Sequence, residues 1–202
     1  MHGKFITFEG VDGAGKSTHV EWFANELRSA GRPVLVTREP GGSPLAEKLR
    51  ELVLHEPMDA VTETLLVFTA RDDHLKKRIL PALAAGTWVV CDRFTDATLA
   101  YQGGGKGVDA RLIGALRTVV HPALNPDCTL IFDCPYEVSR ERMVRSGRAL
   151  DRFEREGQGF FERVRAAYIA LARAEPGRVR VIDSTHTLDA IRAELRGVLD
   201  AL

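Results

Sequence analysis

The chain has 202 residues, with 28 Lys and Arg against 28 Asp and Glu, so its formal net charge is zero. Hydrophobic residues make up 45%, enough for a sizeable core, and the length predicts a single domain over residues 1–202 with at most a small mobile insert. The charge balance argues against a general nucleic-acid binder, which usually carries a basic excess.

Three cysteines, Cys91, Cys128 and Cys134, lie in or beside apolar β-like runs and lack metal-ligand spacing, which predicts reduced core residues. The first ten residues lack the long apolar core of a secretory signal peptide. No apolar run approaches the ~20 residues that a membrane span needs. We therefore expect a cytoplasmic protein that has neither a nucleic acid nor a membrane as partner.

Short apolar runs predict strands, and helix-like stretches separate them. The predicted strands are residues 4–9, 33–38, 88–92, 127–133 and 178–183. The predicted helices are residues 16–30, 43–54, 59–85, 109–120, 136–146, 157–175 and 187–200. This alternation predicts an α/β fold, a five-stranded parallel sheet with helices on both faces. Ligands bind beyond the carboxyl ends of such strands, so the loops after the strands are the candidate sites.

The loop after the first predicted strand matches G-x-x-x-x-G-K-[ST], the phosphate-binding P-loop. Its glycines let successive backbone N–H groups converge on phosphate oxygens, and the following helix adds its dipole. We expect Lys16 to reach the β- and γ-phosphates and Ser17 to ligate Mg²⁺. The acid Asp12 is unusual among phosphate-binding amides, which suggests that it points at a second ligand. The predicted nucleotide-binding residues are Gly10, Val11, Asp12, Gly13, Ala14, Gly15, Lys16, Ser17 and Thr18.

Two features between the second and third predicted strands carry candidate ligand-binding groups. Arg38 belongs to the loop TREPGG, which is either a simple turn or part of a binding site. Val67 and Phe68 share a helix face with Arg71, where a flat aromatic one turn from an arginine favours a stacked base and a bound phosphate. Core packing with a surface charge is the other interpretation of that face.

The loop after the third predicted strand begins with Asp92 and Arg93. Asp92 has the Walker-B position, where a carboxylate holds the Mg²⁺ shell. Arg93 can bind a phosphate in bidentate fashion. The P-loop and Arg93 would then be two separate phosphate-binding groups, which indicates two phosphorylated ligands. Thr98, Tyr101 and Gln102 then suit a base and sugar pocket, although an ordinary helix ending in a flexible loop is the alternative.

An arginine-rich region, residues 140–155, contains Arg140, Arg142, Arg145, Arg148, Arg152 and Arg155. Within it, the candidate lid is at about residues 143–155, and its candidate catalytic residues are Arg145, Arg148 and Arg152. Lys16 alone does not neutralise a phosphoryl group in transfer, and arginine suits planar phosphate recognition. We therefore predict a mobile lid whose arginines act in the transition state, where such groups are worth roughly 10³–10⁵ in rate. A solvated helix face with i,i+4 ion pairs is the alternative interpretation.

Taken together, these motifs resemble those of thymidylate kinases over essentially the whole chain. The resemblance rests on FEGVDGAGKST, TREPGG, DRFTDATLAYQGGGKG, the arginine-rich segment before DRFE, and VIDS. It implies a P-loop nucleoside-monophosphate-kinase fold that transfers the γ-phosphate of ATP to dTMP, using Mg²⁺ and giving dTDP and ADP. It also implies a homodimer formed through helices, and a lid-borne arginine in place of the P-loop arginine that some members carry where this chain has Gly13.

The resemblance further implies a role for individual residues. Asp12 faces the sugar and phosphate of dTMP, Arg71 hydrogen-bonds thymine, and Tyr101 packs under the deoxyribose. The remaining implied positions are Arg38 for positioning the acceptor, Asp92 and Arg93 for organising Mg²⁺ and the phosphates, and Asp183 and Ser184 for bordering the adenine.

Two positions differ from the usual family pattern. Val67 stands where a phenylalanine is common, with Phe68 beside it, so either the register or the base stacking differs. Ala97 stands where serine is common, so Thr98 is expected to hydrogen-bond the base. A kinase for another base is the second hypothesis. A nucleotide-dependent switch is a third, but a guanine-reading Asn-Lys-x-Asp motif is absent from the sequence.

Overall fold

The computed structural model describes residues 3–147 and 151–202. Its centre is a parallel sheet whose strands lie in the order β2-β3-β1-β4-β5. The strands are β1 Phe5–Gly10, β2 Val34–Arg38, β3 Trp88–Asp92, β4 Cys128–Asp133 and β5 Val179–Asp183. Each predicted strand is therefore confirmed to within one residue at either end. The three central strands β1, β3 and β4 are buried, whereas the edge strands β2 and β5 are partly exposed.

Helices follow every strand and cover the sheet. They are α1 Lys16–Ser29, α2 Pro44–His55, α3 Ala60–His74, α4 Leu80–Ala84, α5 Thr95–Thr98, α6 Ala110–Val120, α7 Tyr136–Arg145, α8 Gln158–Ala174 and α9 Leu188–Ala201, with π-helical segments Leu75–Ile79 and Leu99–Gly105. Ser43 and Asp59 cap α2 and α3 through their side-chain oxygens, which marks where these helices begin. In the described residues, no helix is long and apolar enough to cross a membrane.

The long helix predicted over residues 59–85 is interrupted. The α-helical hydrogen-bond pattern of α3 ends at His74, and the π-helical segment Leu75–Ile79 leads into α4. Pro81 lies in the first turn of α4, where its missing N–H costs least. The segment after Arg93, which is not among the predicted helices, forms α5 and the π-helical segment Leu99–Gly105. π-helical turns are frequent at functional sites.

The core lies on both faces of the sheet. Ile6, Phe8 and Phe132 pack on one face with Phe23 of α1, whereas Phe5 and neighbouring side chains pack on the other face. The predicted reduced cysteines are confirmed as buried and free of disulfides. Because β1 lies between β3 and β4, the loops that follow these strands meet at one edge of the sheet.

Candidate functional site

The P-loop forms the turn between β1 and α1, as predicted. Gly10, Gly13 and Gly15 adopt φ values of 126°, 73° and 86°, a region that side chains other than glycine rarely enter. Lys16 curls back over the loop, where its Nζ donates to the carbonyl oxygens of Gly10 at 3.2 Å and Val11 at 3.1 Å. Among the residues that the structure describes, no side chain caps α1, so its first N–H groups are left for an anionic ligand.

A cavity of about 280 Å³ opens beside this loop, and we call it the P-loop cavity. It gathers residues from the loops after β1, β2 and β3. Its walls include the cations Lys16, Arg38, Arg50, Arg93 and Arg142. The remaining lining residues are Asp12, Gly13, Gly15, Ser17, Thr18, Glu39, Asp92, Met143 and Ser146. The concentration of positive charge suits a polyphosphate, whose oxygens these cations can share.

Asp92 and Ser17 both line the P-loop cavity, as the sequence predicts for metal-binding groups. The Oδ1 atom of Asp92 is buried, and no hydrogen-bond partner for it lies in the described parts of the chain. A buried carboxylate oxygen without a donor is costly unless a ligand pairs with it. A carboxylate and a hydroxyl beside a phosphate site fit Mg²⁺, which prefers oxygen ligands and retains several waters.

Asp12, Arg93 and Tyr101 form one hydrogen-bonded unit beyond the P-loop. Arg93 Nη2 donates to Asp12 Oδ1 at 2.7 Å and to the Tyr101 hydroxyl at 2.9 Å, and that hydroxyl donates to Asp12 Oδ2 at 2.8 Å. Burial alone would raise the pKa of Asp12, but the charges of Arg93 and Lys16 lower it below its ordinary value. The Asp12 carboxylate thus turns away from the P-loop amides, as its unusual place in the sequence suggested.

The backbone of Arg93 adopts φ 70°, which is uncommon for a residue with a side chain. Its neighbour holds this conformation in place, because the Phe94 N–H donates to Glu9 Oε1 at 2.7 Å. The other Glu9 oxygen, Oε2, is hydrogen-bonded to the Tyr168 hydroxyl at 2.7 Å. Complete burial, with a smaller contribution from Asp96, raises the pKa of Glu9 to about 8. This carboxyl therefore keeps its proton at neutral pH.

A second cavity, of about 90 Å³, lies next to the first, and we call it the acceptor cavity. Its walls include most of the residues that the sequence predicts for a second ligand: Asp12, Arg71, Arg93, Thr98, Tyr101 and Gln102. Val67 and Ala97 line it as well, together with Phe153 and Asp151 from the segment after the predicted lid arginines. Asp12, Glu39, Arg50 and Arg93 line both cavities.

Arg71 is buried at the wall of the acceptor cavity. Its Nε donates to Glu39 Oε2 at 2.6 Å, and its Nη2 donates to the Phe94 carbonyl at 3.1 Å and to Thr98 Oγ1 at 3.0 Å. Its Nη1 is buried and has no partner in the described residues. This third nitrogen is therefore the one left for a ligand.

The prediction that Phe68 binds the substrate needs correction. Phe68 is 2% exposed and packs with Val108 and Ile113, whereas Val67 lines the acceptor cavity. The guanidinium of Arg71 lies 4.7 Å from the centroid of the Phe68 ring. The phenyl ring therefore stacks on the arginine rather than on a ligand, because the turn of α3 directs it into the core.

The predicted lid arginines are placed differently from one another. Arg145 is 76% exposed on the last turn of α7 and pairs with Glu141 at 2.5 Å. Arg152 pairs with Glu63 and donates to the Val53 carbonyl at 2.7 Å, on the side of the acceptor cavity. Neither lines the P-loop cavity. Arg148 lies outside the described residues.

Arg142, on α7 just before the predicted lid, lines the P-loop cavity, where an arginine of the lid was expected. Its guanidinium lines the P-loop cavity and donates to the Ala14 carbonyl at 3.3 Å and to the Ser184 carbonyl at 2.7 Å. Ser184 is buried, and its hydroxyl donates to the Asp133 carbonyl at 3.0 Å, whereas the exposed Asp183 carboxylate accepts from Thr185. The predicted VIDS turn thus contacts the P-loop through this arginine.

Gly13 is enclosed by α7. A Cβ built on it would lie 2.5 Å from the Ser139 carbonyl oxygen and 3.1 Å from the Met143 side chain, and its φ of 73° disfavours any side chain. The Ser139 hydroxyl also donates to the Asp12 carbonyl at 2.6 Å, so α7 packs directly on the P-loop. An arginine at position 13 therefore does not fit without displacing α7.

Sequence reasoning missed Arg50 and did not single out Arg142. Arg50 lies on α2, donates to the Pro40 carbonyl at 2.8 Å and lines both cavities. No local pattern marks Arg50, because its role depends on α2 packing beside the TREPGG loop. Arg142 belongs to the arginine-rich region, but only the packing of α7 on the P-loop distinguishes it from its neighbours.

Comparison with known proteins identifies similar chains over nearly the full length. A family model described as Thymidylate kinase matches residues 8–195. A thymidylate kinase of Bordetella pertussis is 60% identical over 193 residues, covering 96% of this chain and 92% of that protein. One from Thiobacillus denitrificans is 58% identical, covering 100% and 98%. A crystal structure of a thymidylate kinase from Ehrlichia chaffeensis superposes with a TM-score of 0.79 at 33% identity, covering 98% of this chain and 99% of that one.

Proposed function

The chain belongs to the thymidylate kinase family, and on that basis we propose that its two adjoining cavities hold ATP and dTMP for direct phosphoryl transfer. The reaction moves the γ-phosphate of ATP to the phosphate of dTMP and gives dTDP and ADP. One observation carries the assignment of the cavities. Their shared wall of Asp12, Glu39, Arg50 and Arg93 puts two arginines at the boundary where the two phosphates must meet.

The P-loop cavity is proposed to hold the ATP phosphates. Backbone N–H groups of the P-loop and the start of α1 face the anion, and Lys16 adds a positive charge beside them. Arg142 lies against both the P-loop and Ser184, which fits a donor nucleotide whose base reaches the VIDS turn. The roles of Asp183 and Ser184 beside the adenine remain predictions.

The acceptor cavity is proposed to hold dTMP. Asp12 and Tyr101 hold Arg93 at the end of this cavity that adjoins the P-loop. In this position Arg93 is suited to bind the acceptor phosphate. Arg71, Thr98 and Gln102 supply polar groups for the base. Arg38, which lines the P-loop cavity and pairs with Glu47 at 3.0 Å, is proposed to help position the acceptor phosphate.

Ser17 and Asp92 are proposed to hold Mg²⁺ together with the ATP phosphates. The buried, unpartnered Oδ1 of Asp92 supports this assignment. When bound, Mg²⁺ neutralises charge on the phosphates and orients them for transfer.

The chemistry needs alignment and charge neutralisation more than proton transfer. A phosphate monoester has its second pKa near 6, so the attacking oxygen of dTMP is already anionic at neutral pH. The protein must then bring two anions together. Arg50 and Arg93 in the shared wall, and Lys16 and Arg142 in the P-loop cavity, are proposed to reduce that repulsion. We propose that residues 143–155 act as a lid, with Asp151 and Phe153 completing the acceptor cavity.

We also propose that the protein forms a homodimer through its helices. Leu45 and Leu52 on α2 and Val61 and Leu65 on α3 are each about 45% exposed on two helices that pack side by side. Burying such side chains against a second copy would remove apolar area from water. Sedimentation velocity with Leu65→Glu tests this, since a homodimer should shift towards monomer. A cytoplasmic location remains a prediction.

The activity is tested by a coupled ADP-release assay with dTMP, dUMP, dCMP, dGMP and thymidine. The highest kcat/KM is expected with dTMP, and thymidine should fail because it lacks the acceptor phosphate. Lys16→Ala, tested in parallel, separates the enzyme's own turnover from that of contaminating kinases. Faster turnover with another monophosphate would instead support the second hypothesis, a kinase for another base.

A further inference from the structure

Glu63 on α3 is a fully buried carboxylate that joins three distant parts of the chain. Its Oε1 accepts from Gln102 Nε2 at 2.8 Å. Its Oε2 accepts from Lys106 Nζ at 2.7 Å and from Arg152 Nη2. Glu63 itself lines neither cavity, and Gln102 is the partner through which it adjoins the acceptor cavity.

The contact with Glu63 fixes which end of the Gln102 side chain faces the acceptor cavity. A glutamine amide has a donor end and an acceptor end, and an ionised carboxylate accepts hydrogen bonds only. Lys106 and Arg152 both donate to Oε2 of this carboxylate, and the Gln102 Nε2 donates to its Oε1. The NH₂ group of Gln102 must therefore point at Glu63. Since Gln102 lines the acceptor cavity, its carbonyl oxygen is the end available to a base.

Arg71 presents the opposite chemistry in the same cavity. Its Nε and Nη2 are held by Glu39, Phe94 and Thr98, and its buried Nη1 has no partner in the described residues. A guanidinium nitrogen only donates. Gln102 thus presents a hydrogen-bond acceptor to the acceptor cavity, and Arg71 presents a donor.

We propose that Glu63 is a positioning residue that sets base selectivity by fixing the amide orientation of Gln102. This inference rests on the proposed function of the acceptor cavity. A 4-oxo pyrimidine such as thymine offers an N3–H donor beside an O4 acceptor, which matches Gln102 and Arg71. A 4-amino pyrimidine such as cytosine offers an N3 acceptor beside an amino donor. Its N3 atom would face the Gln102 carbonyl oxygen, which is also an acceptor, and its amino group would face the Arg71 guanidinium, which is also a donor.

Glu63→Gln should reverse this preference at Gln102. The new amide oxygen remains with Lys106 and Arg152, because both donate hydrogen bonds. The new NH₂ group then faces Gln102, whose amide must turn to present its oxygen. The NH₂ of Gln102 is left facing the acceptor cavity, where it opposes the N3–H of thymine and suits the N3 atom of cytosine.

The experiment measures kcat/KM with dTMP and with dCMP for the wild type, Glu63→Gln and the matched control Lys106→Met. Lys106→Met removes another partner of the same carboxylate but leaves the contact with Gln102. The ratio of kcat/KM with dTMP to kcat/KM with dCMP should fall about tenfold or more in Glu63→Gln, because one hydrogen bond to thymine is lost and one to cytosine is gained. The ratio should stay near the wild-type value in Lys106→Met.

Gln102→Leu provides a second test that does not depend on Glu63→Gln folding. It removes the proposed acceptor, so the ratio should again fall about tenfold. If Gln102→Leu keeps the wild-type ratio, or if Glu63→Gln lowers both substrates in equal proportion, the proposal is overturned and Glu63 is structural. Failure of the wild type to turn over dTMP would instead refute the proposed function itself.

Discussion

Glu9 should make the stability of this protein depend on pH in an unusual direction. Its carboxyl is 0% exposed and is bonded to the Tyr168 hydroxyl and the Phe94 N–H. Burial, with a smaller contribution from Asp96, raises its pKa from 4.5 to about 8. Between these pH values the folded protein holds a proton that the unfolded chain has released. The unfolded state binds fewer protons, so the free energy of unfolding falls as the pH rises through this window.

The magnitude follows from the size of the pKa change. Each pH unit inside the window costs about 1.4 kcal/mol, so between pH 5 and pH 8 Glu9 should reduce the free energy of unfolding by up to about 4 kcal/mol. Above pH 8 this contribution should level off. Glu9→Gln mimics the protonated carboxyl, since its oxygen can accept from Phe94 and its NH₂ can face Tyr168. This variant should lose the part of the pH dependence of the unfolding free energy that Glu9 contributes.

Urea unfolding followed by circular dichroism at pH 5, 6, 7, 8 and 9 measures the effect. The difference in unfolding free energy between Glu9→Gln and the wild type should grow in favour of the variant from pH 5 to pH 8. Glu194→Gln, at an exposed position of α9, controls for removing a carboxylate as such. Parallel curves for Glu9→Gln and the wild type across this range would refute the reasoning.

Three further predictions concern the phosphate-binding groups. Lys16→Ala should nearly abolish turnover while circular dichroism shows a folded protein, and activity retained within about tenfold, ~1.4 kcal/mol in the barrier, would contradict the role of Lys16. Arg93→Ala should lower turnover and should weaken the binding of dTMP, measured by titration calorimetry, far more than that of ATP. A larger loss of ATP binding than of dTMP binding would show that Arg93 binds ATP instead. Arg142→Ala should lower kcat by roughly 10²–10³, whereas Arg145→Ala, at an exposed position, should change kcat little. Equal effects of the two substitutions would contradict a contact between Arg142 and the transition state.

The sequence was sufficient to predict the sheet and the position of the site along the chain. The central strands β1, β3 and β4 are buried and nearly continuous apolar runs, so their limits could be predicted to within one residue from the sequence. The P-loop could be predicted because its glycines and Lys16 act within one local turn. Asp92 and Arg93 follow the same logic, since the end of β3 must adjoin the end of β1 in a parallel sheet.

Only the tertiary structure decided which long side chains meet which partners. Helical spacing put Phe68 and Arg71 on one face, but the packing of α3 sent the ring into the core and gave the cavity wall to Val67. Arg142, rather than Arg152, lies at the P-loop because α7 packs against that turn. Periodicity defines a face relative to its own helix, whereas a flexible guanidinium selects its partner among groups that are distant in sequence, and the packed fold alone brings those groups within reach.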